Sequence, residues 1–203
     1  MSISMNDLVG QAKVSTRLND TTLFNGVIAQ AEAYTAYSEK LNTIDMAKVS
    51  SSDKQDLFNK LEKHQKQLDQ AFEQVGHELL KVGTQAQQMF ETSIKPTPND
   101  FALAGLLQGK SAPELLEVAH SSPAAARLLH GSDAGKMAGL DSEAVASLAK
   151  YAAPKSFAEV ERVNALIDSA GKLKATATQA HQAQVGKFHI THTENKVLDA
   201  LND

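Results

Sequence analysis

From Ser52 to about Ile94 the chain repeats every seven residues. Phe58, Gln65, Phe72, Leu79 and Ala86 form one series. Leu61, Leu68, Val75, Val82 and Met89 form a second, three residues further on. Of these ten positions only Gln65 is polar, and the steps alternate between three and four. Five heptads of this kind make the seam of a coiled coil, since the repeat keeps one apolar stripe facing a partner helix. Pro is absent between Ser52 and Lys95. At ~1.5 Å per residue the helix is therefore on the order of 60 Å long. Ser52 and Gln55 offer a capping box for its start.

A polar residue at such a position sets register at a cost in stability, or else reaches water near a frayed end. Gln65 admits both readings. Gly76 and Gly83, seven apart on the flank of the seam, each cost up to ~1 kcal/mol of helix propensity. That cost is easiest to understand where another helix passes close by.

Phe24, Val27, Ala31, Tyr34, Ser38 and Leu41 step by three and four within a second helix, expected over 20–44. Asn19, Asp20 and Thr21 are its candidate caps. The connector at 45–51 is short, which predicts an antiparallel hairpin. The longer arm overhangs the shorter one, leaving the seam from Val82 to Met89 to find a later helix or a neighbouring subunit.

Pro96-Thr97-Pro98 interrupts the pattern and forces extended backbone. Short helices follow, with dense punctuation. Ser111 with Glu114, Ser122 before Pro123, and Asp141 are caps, and Gly109 and Gly131 are stops. Ser156 with Glu159 opens a long helix through Phe157, Val160, Val163, Ile167, Leu173 and Ala177, expected to end near Gly186. Beyond it, Lys187 to Thr193 alternates in character and favours an extended arm carrying Phe188 and Ile190. The expected architecture is all-α. It comprises a long antiparallel hairpin over 1–95, a C-terminal helical region over 96–186, and an arm over 187–203.

Composition agrees with slender helical packing. The chain has seven Phe, three Tyr and no Trp, and thin helix seams are filled by Ala, Leu and Val. A formal charge of −4 without a basic stripe gives no signal for nucleic acid. The absence of Cys rules out disulfides and thiolate metal sites. Residues 1–10 have neither a basic start nor an apolar core, so no export signal is expected there. No run approaches the ~20 apolar residues of a membrane span.

Three motifs look chemical. Gly109-Lys110-Ser111 is similar to the end of a phosphate-binding loop, but Ala104 stands where the first glycine belongs. A helix stop followed by a cap explains it. His77-Glu78 begins like a zinc-protease helix, but Lys81 replaces the second histidine and would repel a cation. His189, His192 and Glu194 lie close in sequence without a further ligand in view. No Gly-x-Ser-x-Gly elbow is present. The expectation is a non-enzymatic protein with no catalytic residue, metal or cofactor.

Ala112-Pro113-Glu114-Leu115-Leu116, Ser122 to Leu129 and Ala138-Gly139-Leu140, followed by a long polar-alanine helix, resemble a group of small helical proteins of tailed bacteriophages. The resemblance covers about residues 109–181. It implies a structural or assembly protein of the virion, in the virion or host cytoplasm, self-associating as a homo-oligomer and contacting capsid, portal or tail components. The expected contacts are the seam (Phe58, Leu61, Gln65, Leu68, Phe72, Val75, Leu79, Val82, Met89) and the arm (Phe188, Ile190). The alternative is a bacterial cytosolic helical adaptor or secretion-related module holding a partner helix.

Overall fold

The computed structural model describes residues 4–18, 21–131 and 133–201. Beyond Gly186 the described side chains are limited to that of Phe188. All regular structure among the described residues is helical. The chain forms two compact units, one of Met1–Leu79 with Leu166–Asp203 and one of Leu80–Ala165. The boundaries expected at 95/96 and 186/187 are thereby replaced. The division falls inside two long helices, where no change of composition marks it.

The first unit is four helices around one core. These are α1 (Met5–Leu18), α2 (Asn25–Asn42), the part of α3 (Ser51–Ser93) up to Leu79, and the part of α10 (Pro154–Leu201) from Leu166. The sequence reading missed α1. Its signal is a capping box in which the Ser4 N–H and hydroxyl both donate to Asp7 Oδ2 at 2.8 Å. Leu8 and Ala12, one turn apart, are fully buried. The expected caps at Asn19 and Asp20 lie outside the described residues, and the Thr21 hydroxyl accepts from Leu23 N–H at 3.2 Å.

Neighbouring helices run alternately up and down. Lys13 reaches Glu32 at 2.7 Å between α1 and α2. The Tyr37 hydroxyl donates to the Leu57 carbonyl at 2.9 Å between α2 and α3. Phe58 and Phe188 meet edge to face, 5.6 Å between centroids, between α3 and α10. Leu8, Phe24, Tyr34, Leu61, Leu68 and Leu173 fill the centre. Burying each large apolar side chain stabilises the unit by about 1.5–3 kcal/mol. The expected hairpin of α2 and α3 is therefore one side of a bundle, with α10 and α1 completing it.

Two expectations about helix ends fail by small shifts. The cap of α3 is Ser50, whose hydroxyl donates to Asp53 Oδ2 at 2.6 Å and accepts from Asp53 N–H at 3.1 Å. The Ser52/Gln55 pair lies two residues too late. Helix α10 begins at Pro154, where a fixed φ and a missing N–H suit the first turn. Glu159 does not reach back to Ser156 but forks onto Arg162 at 2.6 and 2.9 Å.

The larger correction concerns the arm. Helix α10 continues through Gly186 and the alternating stretch to Leu201, so Lys187 to Thr193 is helical and not extended. Extending an existing helix requires no new nucleus. Phe188 also packs against the bundle core, and together these outweigh a weak β preference. The side chain expected at Ile190 lies outside the described residues.

The second unit contains the end of α3, the start of α10 and a run of short helices. These are α4 (Ala104–Leu107), α5 (Ala112–Ser121), α6 (Pro123–Gly131), α7 (Ala134–Met137), α8 (Ser142–Ser147) and α9 (Ala149–Ala152), with a 3-10 turn at Asp100–Leu103 before α4. The caps read from sequence hold here. Ser111 N–H donates to Glu114 Oε2 at 2.7 Å, and Ala144 N–H to Asp141 Oδ1 at 2.7 Å. Gly109 adopts φ +78°, the left-handed stop that glycine permits. Gly135 is needed for a different reason: a Cβ there would collide with the Leu129 carbonyl oxygen and crowd Val145. The core is Leu107, Leu115, Leu128, Leu129, Leu140 and Leu148 with small alanines between them.

Within this unit α10 runs antiparallel to the end of α3. Phe90 and Phe157 lie 5.8 Å apart, Ser156 Oγ donates to Ser93 Oγ at 3.2 Å, and a Cβ on Gly83 would meet Val163 Cγ1 at 3.5 Å. The end of α3 thus packs on a later helix of the same chain, with Ala86 of the seam buried and Met89 left exposed. Gly83 has the close neighbour expected of it, whereas nothing lies within 4 Å of a Cβ on Gly76.

Candidate interaction site

The heptad residues are mostly interior. Leu61, Gln65, Leu68, Phe72, Val75 and Leu79 are buried in the first unit, and Phe58 is half-buried. In the second unit Val82 is half-buried and Ala86 buried, while Met89 is 64 % exposed. Within the first unit these positions form a line of core residues, which Met89 in the second unit does not continue. Gln65 is no frayed end: it is 8 % exposed, donates to Asp69 Oδ1 at 2.9 Å, and leaves its own carbonyl oxygen without a partner among the described residues.

Beside it a polar chain crosses the first unit. The Tyr34 hydroxyl on α2 sits 2.9 Å from His181 Nδ1 on α10, and His181 Nε2 sits 3.1 Å from Glu62 Oε1 on α3. Gln184 donates to Ser38 one turn further along the same two helices. Tyr–His–Glu order invites comparison with a catalytic relay. Burial, and then the Glu62 charge, push the Tyr34 phenol well above its ordinary range. A nucleophile or general base needs the opposite shift, and the hydroxyl is already engaged. The chain is a hydrogen-bonded tie holding three helices in register; the sequence pattern places Tyr34 and Ser38 on the inner face of α2 but does not join them to Glu62, His181 or Gln184. Only the spacing of His181 and Gln184 on one helix face hinted at it.

In the second unit one buried pair organises the short helices. Asp100 accepts from Arg127 Nε at 2.9 Å and from a terminal nitrogen of the same guanidinium at 2.8 Å. It also accepts from the Thr97 N–H at 2.7 Å, and Arg127 donates onward to the Ala152 carbonyl at 3.2 Å. The Arg127 bonds, with Thr97, hold the Asp100 carboxyl well below the usual carboxylate range. The Pro96-Thr97-Pro98 break, α6 and the end of α9 are thereby tied together.

Above this framework lies a groove of about 510 Å³. Leu115, Leu128 and Leu129, all nearly inaccessible, form its floor. Ala104 and Gly105 from α4, and Ala134 and Ala138 at α7, also line the groove. Phe101 and Met137, which also line it, stay 54 % and 86 % exposed. Leu106, on α4 between lining residues, is 67 % exposed. Among the described lining residues only Lys110 is charged. Its ammonium makes no ion pair within 4 Å among the described residues, although its charge helps to hold the nearby Glu114 carboxyl below its usual range, after the bonds from Ser111. Large apolar side chains held in water around an apolar trough mark a binding surface more often than an accident of packing.

Gly109-Lys110-Ser111 accordingly serves as a stop, a groove residue and a cap. His77, Glu78 and Lys81 are exposed on α3. Among the described residues no three His, Asp or Glu side chains converge as metal ligands, and those of His189, His192 and Glu194 lie outside them. No helix searched among the described residues is long and apolar enough to cross a membrane. Compared with known proteins, the chain matches no family model, and no curated protein or solved structure is significantly similar to it.

Proposed function

We propose that this chain is a non-enzymatic assembly or adaptor protein that docks another protein on the groove of its second unit. The observation that carries the reading is the exposure of Phe101, Leu106 and Met137 around a floor of buried leucines. The phage-virion setting rests on the resemblance at Ala112–Leu116, Ser122–Leu129 and Ala138–Leu140. Those residues include much of the groove: Leu115, Leu128, Leu129 and Ala138. Self-association along the heptad seam is the weaker route, because burial inside the chain already uses that apolar surface.

Photocrosslinking tests the docking surface. A benzophenone amino acid in place of Leu106 or Met137 should give one discrete heavier adduct in cells that express the chain with its natural partners. The same group in place of Lys66, an exposed α3 position, should not. Equal adduct patterns at all three positions would remove the groove as a docking surface.

A further inference from the structure

We infer that the occupant of the groove is a single amphipathic helix of a partner protein, with large apolar residues on one face and an acidic residue placed to meet Lys110. The inference rests on the docking reading above and adds the chemistry of the partner. The walls are short helical turns and a connecting loop, so there is no sheet edge for a strand to extend. An extended segment in an apolar trough would leave its own N–H and C=O groups without partners, whereas a helix arrives with them satisfied. Ala104, Gly105, Ala134 and Ala138 are among the lining residues, and small residues let a helix backbone approach closely. The trough is open, and small molecules usually bind where about 70–90 % of their surface is covered. Lys110 is the charge a partner would meet: it lines the groove, is half-buried, and is engaged among the described residues only by its longer-range attraction to Glu114.

The test is selection from a display library of random peptides long enough for four helical turns, on the full chain, with Ala104→Trp as the counter-selection. Ala104 is exposed, so a larger side chain fills the trough without entering the core. Selected peptides should carry large apolar residues at i, i+3 or i+4, and i+7, with Asp or Glu beside them, and should become helical on binding. Affinity should fall at least about tenfold with Ala104→Trp, and about fivefold with Lys110→Glu. A Lys in place of the peptide's acid should restore binding to Lys110→Glu. Where Ala104→Trp alters the circular dichroism spectrum, Met137→Lys replaces it as the blocking variant. No enrichment, peptides without helical spacing, indifference to the blocking variant, or laurate binding in their place would each overturn the helix assignment. Discrete crosslinks from Leu106 and Met137 alongside a failed selection would leave the docking reading standing. Failure of both would remove both.

Discussion

Leu68→Asp is expected to unfold the first unit. Leu68 is inaccessible at the centre of the four-helix core. Deleting a buried leucine costs about 2–5 kcal/mol, and a carboxylate there either stays charged without a partner or takes up a proton at further cost. The sum is comparable to the ~5–15 kcal/mol that holds a typical domain together. Circular dichroism at 222 nm should show α1, α2 and the affected parts of α3 and α10 lost together. Near-native helicity and a melting temperature within a few degrees of the parent would mean that Leu68 faces water.

The second large effect should come from the Asp100–Arg127 pair. Asp100→Ala leaves a guanidinium with one remaining backbone acceptor at Ala152 and strands the Thr97 N–H. Removing one partner of a buried pair costs about 3–5 kcal/mol. The double variant Asp100→Ala with Arg127→Met should recover much of that, because the uncompensated charge goes as well. The pH dependence has a definite sign. The folded carboxyl titrates below its unfolded value of ~3.9. Its contribution is therefore complete above that value and lost as pH falls through the folded one. Below about pH 4 the parent should lose stability on acidification more steeply than Asp100→Ala. Parallel slopes in thermal melts from pH 2 to 7 would show that the pair is not formed.

How far the sequence reveals these features depends on how local they are. The heptads of α3 are visible because one helix face repeats within a single segment. Ser111 with Glu114, Ser122 with Pro123, and Asp141 are visible because a cap is completed within three or four residues. The partners of that face are another matter. Helix α10 reaches the first unit only after residues 80–165 have intervened, so the residues that cover Leu61 and Phe72 lie far along the chain. The arm failed for a related reason. Local β preference at Phe188 and Ile190 carries no information about Phe58, 130 residues earlier, which packs against Phe188. Ile167 was assigned to the buried face, but it is 47 % exposed and Leu166 is buried in its place, a one-residue error in the phase of a narrow, alanine-rich stripe. The groove is assembled from short elements across residues 101–138, none amphipathic over enough turns to announce itself. Its one local hint was the exposed run of leucine and glycine around Leu106.

Thiol labelling tests the central claim, that the heptad face is interior while the groove is open. The chain has no cysteine, so a single introduced thiol reports on its own position. Val75→Cys is a close volume match at a site 4 % exposed, and Met137→Cys places the thiol at a site 86 % exposed. The thiol at Met137 should react with a maleimide at the rate of an unstructured peptide. The thiol at Val75 should react at least about a thousandfold more slowly, as expected if labelling waits on opening of the unit. Equal, fast labelling at both positions would mean that the seam is open to a partner outside the chain, and would contradict the account.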